Sequence, residues 1–485
     1  MSLEAEQYSS RYTEKITPVS PNASVIETDT PMQIQTVAAA QLDRGMGLAG
    51  AMSANILNMV GVGPFLTIPL ALAAMGGPQA MLGWIVGAVL CLCDGLVWAE
   101  LGSALPHSGG SYHYLLQAFG PNRWGRLISF LFLWQSLLIG PISIGAGAVG
   151  FGQYAGFLAP QLGHWQLVML AMAVCLLNTA LLYRNIRSIS RVSIVITVAV
   201  LGTCVWIVIS GMLHFHAALA FSFPAHAFDP SRSFWLGLGS ATLIATYDYG
   251  GYNNVCFLGD EIKAPRRTIP WAVIASIVLI AILYLAMNLS ILGTIPWQQG
   301  QYSKAIVADY MQALYGRSSG IFVSLLVLIA SFGSVFAILL GFSRIPYAAA
   351  VDGHFFRFFA RLHPTGRFPS TSLLFMGVLS ALACLVSLSD LISVLIVVQT
   401  MTQFAAQCVA VMALRRRGIA RSDSFRMPLF PLPAVIALLG WIYIVVSSNP
   451  LHIAIGAAMA GTGTGVYLLL ARNKKEWPFQ VHDEV

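Results

Sequence analysis

Apolar runs long enough to cross about 30 Å of hydrocarbon as a helix of about 20 residues recur from residue 47 to residue 471 of this 485-residue chain. Nothing else in the sequence restricts its fold as much. Only 9% of the residues are Asp, Glu, Lys or Arg and 57% are apolar, whereas a soluble domain carries about a quarter charged residues. An outer-membrane barrel would show segments of about ten residues with alternating polarity, and no such alternation runs through the chain. The expected class is an all-α polytopic membrane protein. The formal charge of +7 would suit a nucleic-acid binder, but the placement of the positive residues argues against one.

Gly, Pro and charge punctuation divides the apolar runs into twelve predicted transmembrane helices, near 47–75, 79–105, 126–158, 165–183, 191–212, 234–258, 270–293, 320–351, 371–388, 390–413, 431–448 and 451–471. With the N-terminal segment in the cytoplasm, 23 of the 26 Lys and Arg residues fall on inner segments, and only Arg232, Lys304 and Arg317 on outer loops. That asymmetry sets topology during insertion. Both termini are then cytoplasmic, on a multi-pass protein of the plasma (cytoplasmic) membrane. Residues 1–44 are polar, rich in Ser, Thr and Pro, and lack a signal-peptide pattern. They read as a disordered cytoplasmic tail, with 472–485 as a second.

All seven cysteines lie within predicted spans, so neither an extracellular disulfide nor a disulfide-linked ancillary subunit is expected. Cys91-Leu92-Cys93 lacks the second pair or the histidines that zinc requires, so no metal is expected. Neither a phosphate-binding loop nor a nucleophile with its base is visible in the spans, which argues against an enzyme and against a cofactor.

Two spans carry sequences that a straight membrane helix avoids. In the first, Asn58-Met59-Val60-Gly61-Val62-Gly63-Pro64-Phe65 places two glycines and a proline at mid-membrane depth. Gly61 and Gly63 can unwind the chain, and Pro64 suits the first position of a restarting helix because no amide donor is needed there. The freed amides would favour a negative group such as a substrate carboxylate. The sixth span carries Ala245-Thr246-Tyr247-Asp248-Tyr249-Gly250-Gly251-Tyr252-Asn253-Asn254. An ionised Asp at this depth costs at least about 2.5–3.5 kcal/mol on insertion scales, so Asp248 calls for water, a partner or a substrate. Broken helices five apart are what a five-plus-five inverted repeat predicts, with a site where the breaks meet. The first repeat would span 45–212 and the second 234–413, followed by two helices over 431–471.

Four stretches, in order from residue 61 to residue 353, carry a family likeness. They are Gly61-Val62-Gly63-Pro64-Phe65; Ala99-Glu100-Leu101-Gly102 with Pro106-His107-Ser108-Gly109-Gly110-Ser111-Tyr112; Gly251-Tyr252-Asn253-Asn254 with Gly259-Asp260-Glu261-Ile262-Lys263-Ala264-Pro265; and Ser343-Arg344-Ile345-Pro346-Tyr347 with Asp352-Gly353. Together they resemble the amino acid, polyamine and organocation transporter superfamily, whose members share the LeuT-like fold. The resemblance implies that Gly61, Val62 and Gly63, with Asn58 close by, bind a substrate carboxylate. It implies that backbone groups of Tyr247, Asp248, Tyr249, Gly250 and Gly251, with Asn253 at the same site, bind the amine. Tyr247 matches the aromatic that gates the site from outside in relatives.

Departures from that pattern matter. Val62 stands where many relatives have Ser or Thr, and Pro64 removes an amide, so carboxylate recognition is weaker than in the consensus. Gly-Pro-Phe here, with Asp94 six residues before Glu100, is similar to the polyamine-transporting branch. Asp94 and Asp248 together would suit a cationic substrate.

The fifth-helix lysine of proton-coupled relatives is absent, since no Lys or Arg lies between Arg191 and Arg232. Ser331 and Ser334 correspond to sodium-site hydroxyls, but a membrane serine more often bonds its own backbone, so sodium coupling lacks support. Asp94, Asp248 and Glu100 are the candidate proton carriers, with a structural contact to a loop or arginine as the plainer reading of Glu100. Glu261, Lys263 and Arg266 are candidate inner-gate residues. Gly140, Gly145, Gly147, Gly150 and Gly152 read as helix-packing positions, and His107 and His113 as solvated loop histidines.

The expected function is a secondary active transporter that moves amino acids by alternating access, proton-coupled or by exchange. A polyamine or other amine permease is the alternative. A nutrient sensor without transport, or a channel, ranks below both, and no charged pore ring or filter repeat supports a channel. The expected partners are a small-molecule substrate, the lipid bilayer and a coupling proton, with no nucleic acid.

Overall fold

The computed structural model describes residues 42–121, 123–385, 391–418, 423–474 and 476–479. Of the tails expected over 1–44 and 472–485, residues 1–41, 475 and 480–485 lie outside them. The described chain is helical, and two isolated bridges, Met46 with Ile262 and Ser108 with Leu258, are its extended pairings. In order, the main helices are α1 (Leu48–Met59), α2 (Gly63–Leu66), α3 (Ile68–Met75), α4 (Met81–Ala104), α5 (Ser111–Phe119), α6 (Trp124–Leu158), α7 (His164–Leu182), α8 (Ile186–Leu213) and α9 (Arg232–Tyr249). Then follow α10 (Pro265–Leu292), α11 (Ile306–Tyr315), α12 (Arg317–Phe342), α13 (Arg344–Val351), α14 (Ser370–Ala383), α15 (Leu391–Gln399), α16 (Ala405–Arg416), α17 (Leu432–Val446) and α18 (Pro450–Lys474).

Among the described residues, nine helical segments are long and apolar enough to cross a membrane, and α14 and α17 are apolar but shorter. The chain is a multi-pass membrane protein. Helix ends follow local chemistry. Asn185 caps α8 through the Ser188 N–H, and Ser231 caps α9 through the Phe234 N–H. Pro265 opens α10, where its missing donor costs nothing. Gly76 ends α3 with a left-handed φ of 68°, which a side chain would resist.

Three features differ from the sequence expectation. The sixth span does not run to residue 258: α9 stops at Tyr249, and Asn254–Phe257 and Gly259–Glu261 form short 3-10 turns. The segments after the second and seventh spans are not plain loops but contain α5 and α11. Between α15 and α16 the helix widens to a π turn over Thr400–Phe404, a feature frequent at functional sites.

Small residues let the helices carrying the break approach closely, as in other membrane bundles. A Cβ on Gly83 of α4 would lie 2.6 Å from the Ala241 Cβ of α9, and one on Gly87 would lie 2.9 Å from that of Ala245. Trp84, on the same helix, is buried edge-on against Tyr249 and Tyr284 at 5.8 and 5.9 Å.

Candidate functional site

The first helix is interrupted between Met59 and Gly63. Val60 still closes on Ile56, but no backbone carbonyl among the described residues accepts from the N–H groups of Gly61, Val62 or Gly63. Tyrosines from neighbouring helices hold the two ends of the break. Tyr284 of α10 donates to the Met59 carbonyl at 2.7 Å, and Tyr154 of α6 donates to that of Phe65 at 2.9 Å. The sixth helix breaks at Gly250, whose N–H turns back to Tyr247, and Gly251 has a φ of 115° that favours glycine. The carbonyls of Asp248, Tyr249 and Gly250 receive no backbone donor among the described residues.

The two breaks touch. A Cβ on Gly251 would lie 2.6 Å from Asn58 Cγ, and one on Gly63 would lie 2.3 Å from Asp248 Oδ1. Between them is a cavity of about 110 Å³. Of the residues expected from sequence, Asn58, Gly61, Val62, Gly63, Tyr247, Asp248, Gly250, Gly251 and Asn253 all line it. Tyr249 does not: its side chain packs in the stack with Trp84 and Tyr284, because successive helical residues point about 100° apart.

Apart from Ser334, weighed only as a sodium-site hydroxyl, and Gly147, the far wall was not expected from sequence. Ser143 and Gly147 of α6, Ser334, Ile338 and Phe342 of α12, and Gln399, Gln403 and Phe404 around the π turn complete the cavity with Trp441 of α17. Gly147, read as a packing position, therefore also borders it. Gln403 is fixed by accepting from Gln135 at 3.0 Å and donating to Ser111 at 3.0 Å. Ser331 points away and donates to the Gly147 carbonyl at 2.8 Å. Residues in the π turn and in α17 carry no local signal that links them to Gly61 or Gly250.

The three acids considered as proton carriers stand in different settings. Asp94 is fully buried, accepting from Tyr252 Oη at 2.6 Å, from Trp441 Nε1 at 3.1 Å and from Cys408 Sγ at 3.8 Å. Glu100 pairs with Arg415, at 2.5 Å to Nε and 2.7 Å to Nη2, and also accepts from the Met427 N–H. Asp248 accepts from the Thr67 hydroxyl through Oδ2, and its Oδ1 is buried without a hydrogen-bond partner.

At the opposite end of the sixth-helix segment, the inner-gate candidates do not pair with one another. Glu261 is held by Arg344, Arg266 pairs with Asp423, and Lys263 is exposed and contributes its N–H to the Met46 carbonyl. Nearby, His107 faces Asp260 at 3.5 Å and His113 faces Asp352 at 3.7 Å. Contrary to the solvated reading, the His113 side chain is only 17% exposed, because α5 folds back against the bundle. Burial lowers its affinity for a proton below the ordinary histidine value, although Asp352 works the other way. For Asp260, burial raises the carboxyl, but hydrogen bonds from His107 and the Ser108 N–H outweigh it and the net shift is downward.

Known proteins share this arrangement of sequence. The profile of the amino acid permease family matches residues 48–469. The chain belongs to that family. It is an amino acid transporter of the membrane, and its relatives are transporters as well. The serine/threonine exchanger SteT of Bacillus subtilis is 26% identical over 426 residues, covering 84% of this permease and 91% of the relative. The large neutral amino acids transporter small subunit 2 of Rattus norvegicus is 29% identical over 445 residues, or 88% and 81% of the two chains. The cystine/glutamate transporter of Homo sapiens is 27% identical over 456 residues, or 92% and 89%.

Proposed function

We propose that this permease is a secondary active transporter that binds one amino acid where the two helix breaks meet and carries it by alternating access. The unbonded amides of Gly61, Val62 and Gly63 take the substrate carboxylate. The unbonded carbonyls of Asp248 and Gly250 take its amine. Asn58, Asn253 and Tyr247 shape the cavity beside them, and the side chain points toward Ser143 and Gln399. What supports this reading is that Gly61, Val62 and Gly63, with unpaired amides, and Asp248 and Gly250, with unpaired carbonyls, border one small cavity, since such groups are costly to leave buried unless a ligand satisfies them.

The architecture proposed is twelve membrane helices in a LeuT-like fold. The first repeat spans 45–212, the second 234–413, and 431–471 adds two helices. Positive residues concentrated on one set of loops support cytoplasmic termini. The exit of the sixth helix, with Glu261, Lys263 and Arg266, forms the inner gate, and Arg344 belongs to it. Six buried cysteines and a half-buried Cys93 support a transporter without a disulfide-linked subunit. Exchange fits SteT, which is named for it.

An amine permease is the second reading, favoured by the unpartnered oxygen of Asp248. It loses one of its two supporting acids, because Asp94 already has three donors. Thermal-shift measurements on the purified protein with L-serine, L-leucine, L-cystine, L-glutamate, putrescine and spermidine decide between them, followed by counterflow in liposomes. Stabilisation and counterflow by an amino acid are expected. A response to the polyamines alone would replace the first reading with the second.

A further inference from the structure

Three buried carboxylates, Asp94, Glu100 and Asp248, differ in one respect. Asp94 and Glu100 have donors on both oxygens, whereas Oδ1 of Asp248 has none. That oxygen lies against Gly63, 2.3 Å from where a Cβ would stand, and Asp248 borders the cavity. The groups around it are neutral. From the first helix it meets Gly63 and the Thr67 hydroxyl; the titratable groups facing it are the phenols of Tyr247 and Tyr249 on its own helix and of Tyr284 on α10. No Lys, Arg or His forms an ion pair with it among the described residues.

An ionised Asp248 and a substrate carboxylate on the Gly61–Gly63 amides would be two like charges side by side with little water between them. Such pairs do not both ionise. We propose that Asp248 is the proton site that couples transport to an H⁺ flux, on the reading of the cavity given above. A proton from the aqueous side to which the cavity is open adds to the Oδ1 lone pair. The resulting O–H donates to the arriving substrate carboxylate and turns a repulsion into a hydrogen bond. Substrate and proton leave together on the other side, and Oδ1 returns to the carboxylate form. The stoichiometry is one proton per substrate molecule carried. A substrate without a carboxylate would instead bind ionised Asp248, and its uptake would be favoured at higher pH.

The test uses the full chain in liposomes loaded with a pH-sensitive dye and clamped electrically with potassium and valinomycin. L-Serine, L-leucine, L-cystine and L-glutamate are the probes, screened first by thermal shift. Expected are interior acidification that accompanies uptake, and an apparent KM that rises up to about tenfold per pH unit on the alkaline side. Asp248→Asn is expected to lose both effects: whatever uptake it retains runs without interior acidification and with a KM that does not change with pH. A wild-type protein that takes up the amino acid with no change of interior pH and a flat KM overturns the coupling and leaves the carrier reading standing. That measurement alone decides the matter should the variant not fold. Binding of none of the four overturns the reading of the cavity and the coupling with it.

Discussion

Arg344 grips Glu261 with two parallel hydrogen bonds, Nε to Oε2 and Nη2 to Oε1, each 2.9 Å long. Both side chains are only 1% exposed. The pair joins the start of α13 to the exit of the broken sixth helix, and Arg344 Nη1 also donates to the Leu340 carbonyl and the Ser343 hydroxyl. Removing one partner of such a pair strands a buried charge, at a cost of about 3–5 kcal/mol. Arg344→Ala is therefore expected to lower the thermal unfolding temperature in detergent markedly, and Glu261→Gln combined with Arg344→Met to restore much of it. Equal losses in the single and double variants would show that the charges themselves are not what matters.

Bare backbone at the breaks is a second target. Gly63→Val would drive a side chain into Asp248, and Gly251→Ala would press on Asn58 at a φ that resists a Cβ. Both variants should insert and purify as monodisperse protein but lose at least about tenfold in substrate affinity, equivalent to about 1.4 kcal/mol, as read by substrate-dependent thermal shift. Unchanged uptake by Gly63→Val would remove the substrate assignment.

Behind the cavity wall, Asp94 holds Tyr252 and Trp441, which both border the cavity. Asp94→Ala leaves a buried O–H and a buried N–H unpaired, each at a cost of about 1–3 kcal/mol. Asp94→Asn keeps an acceptor and should cost less. Unfolding temperatures ranked Asn below Ala would contradict a positioning role.

Acid should loosen the contacts around α5 in two steps. Because the folded value of His113 lies below the ordinary histidine value, the unfolded chain takes up the proton first as pH falls. Stability from this group is therefore present above about 6.5 and declines as pH drops through the folded value. Asp260 is likewise depressed, so its contribution holds above about 3.9 and is lost below it. Unfolding temperature measured against pH should fall between about 7 and 5, where the ordinary histidine titrates, and His113→Gln should flatten that slope. A slope left intact by the substitution would assign it to another group.

Both breaks were legible because Gly61, Gly63, Pro64, Gly250 and Gly251 act on their own backbone, and local backbone chemistry is written in consecutive residues. Partners chosen by the fold were not. Arg344 lies 83 residues from Glu261, whereas Arg266, close to Glu261 in sequence, pairs with Asp423 instead. The resemblance assigns the backbone of Tyr249 to the site together with that of Asp248, yet the cavity lining does not include Tyr249 and its ring packs against Trp84 and Tyr284. Helix α5 escaped notice because nine residues give too short an apolar pattern to stand out beside membrane spans. The π turn leaves no trace in Thr400-Met401-Thr402-Gln403-Phe404 that an ordinary helix would not share.

Asn254 donates to the Ala54 carbonyl at 3.1 Å and the Ala337 carbonyl at 2.9 Å, while the Val255 N–H donates to Asn55 Oδ1 at 2.9 Å. Before the start of α1, the Gly45 and Met46 N–H groups both reach the Glu261 carbonyl. Helix α1 and the strip of chain after the sixth-helix break are thus riveted along their length, and neither can swing without dragging the other. A rearrangement that bends the first helix away from the bundle must shear the asparagine contacts to α12 and the Arg344 clasp in the same stroke, so the toll for movement is levied at those joints and not at the flexible glycines.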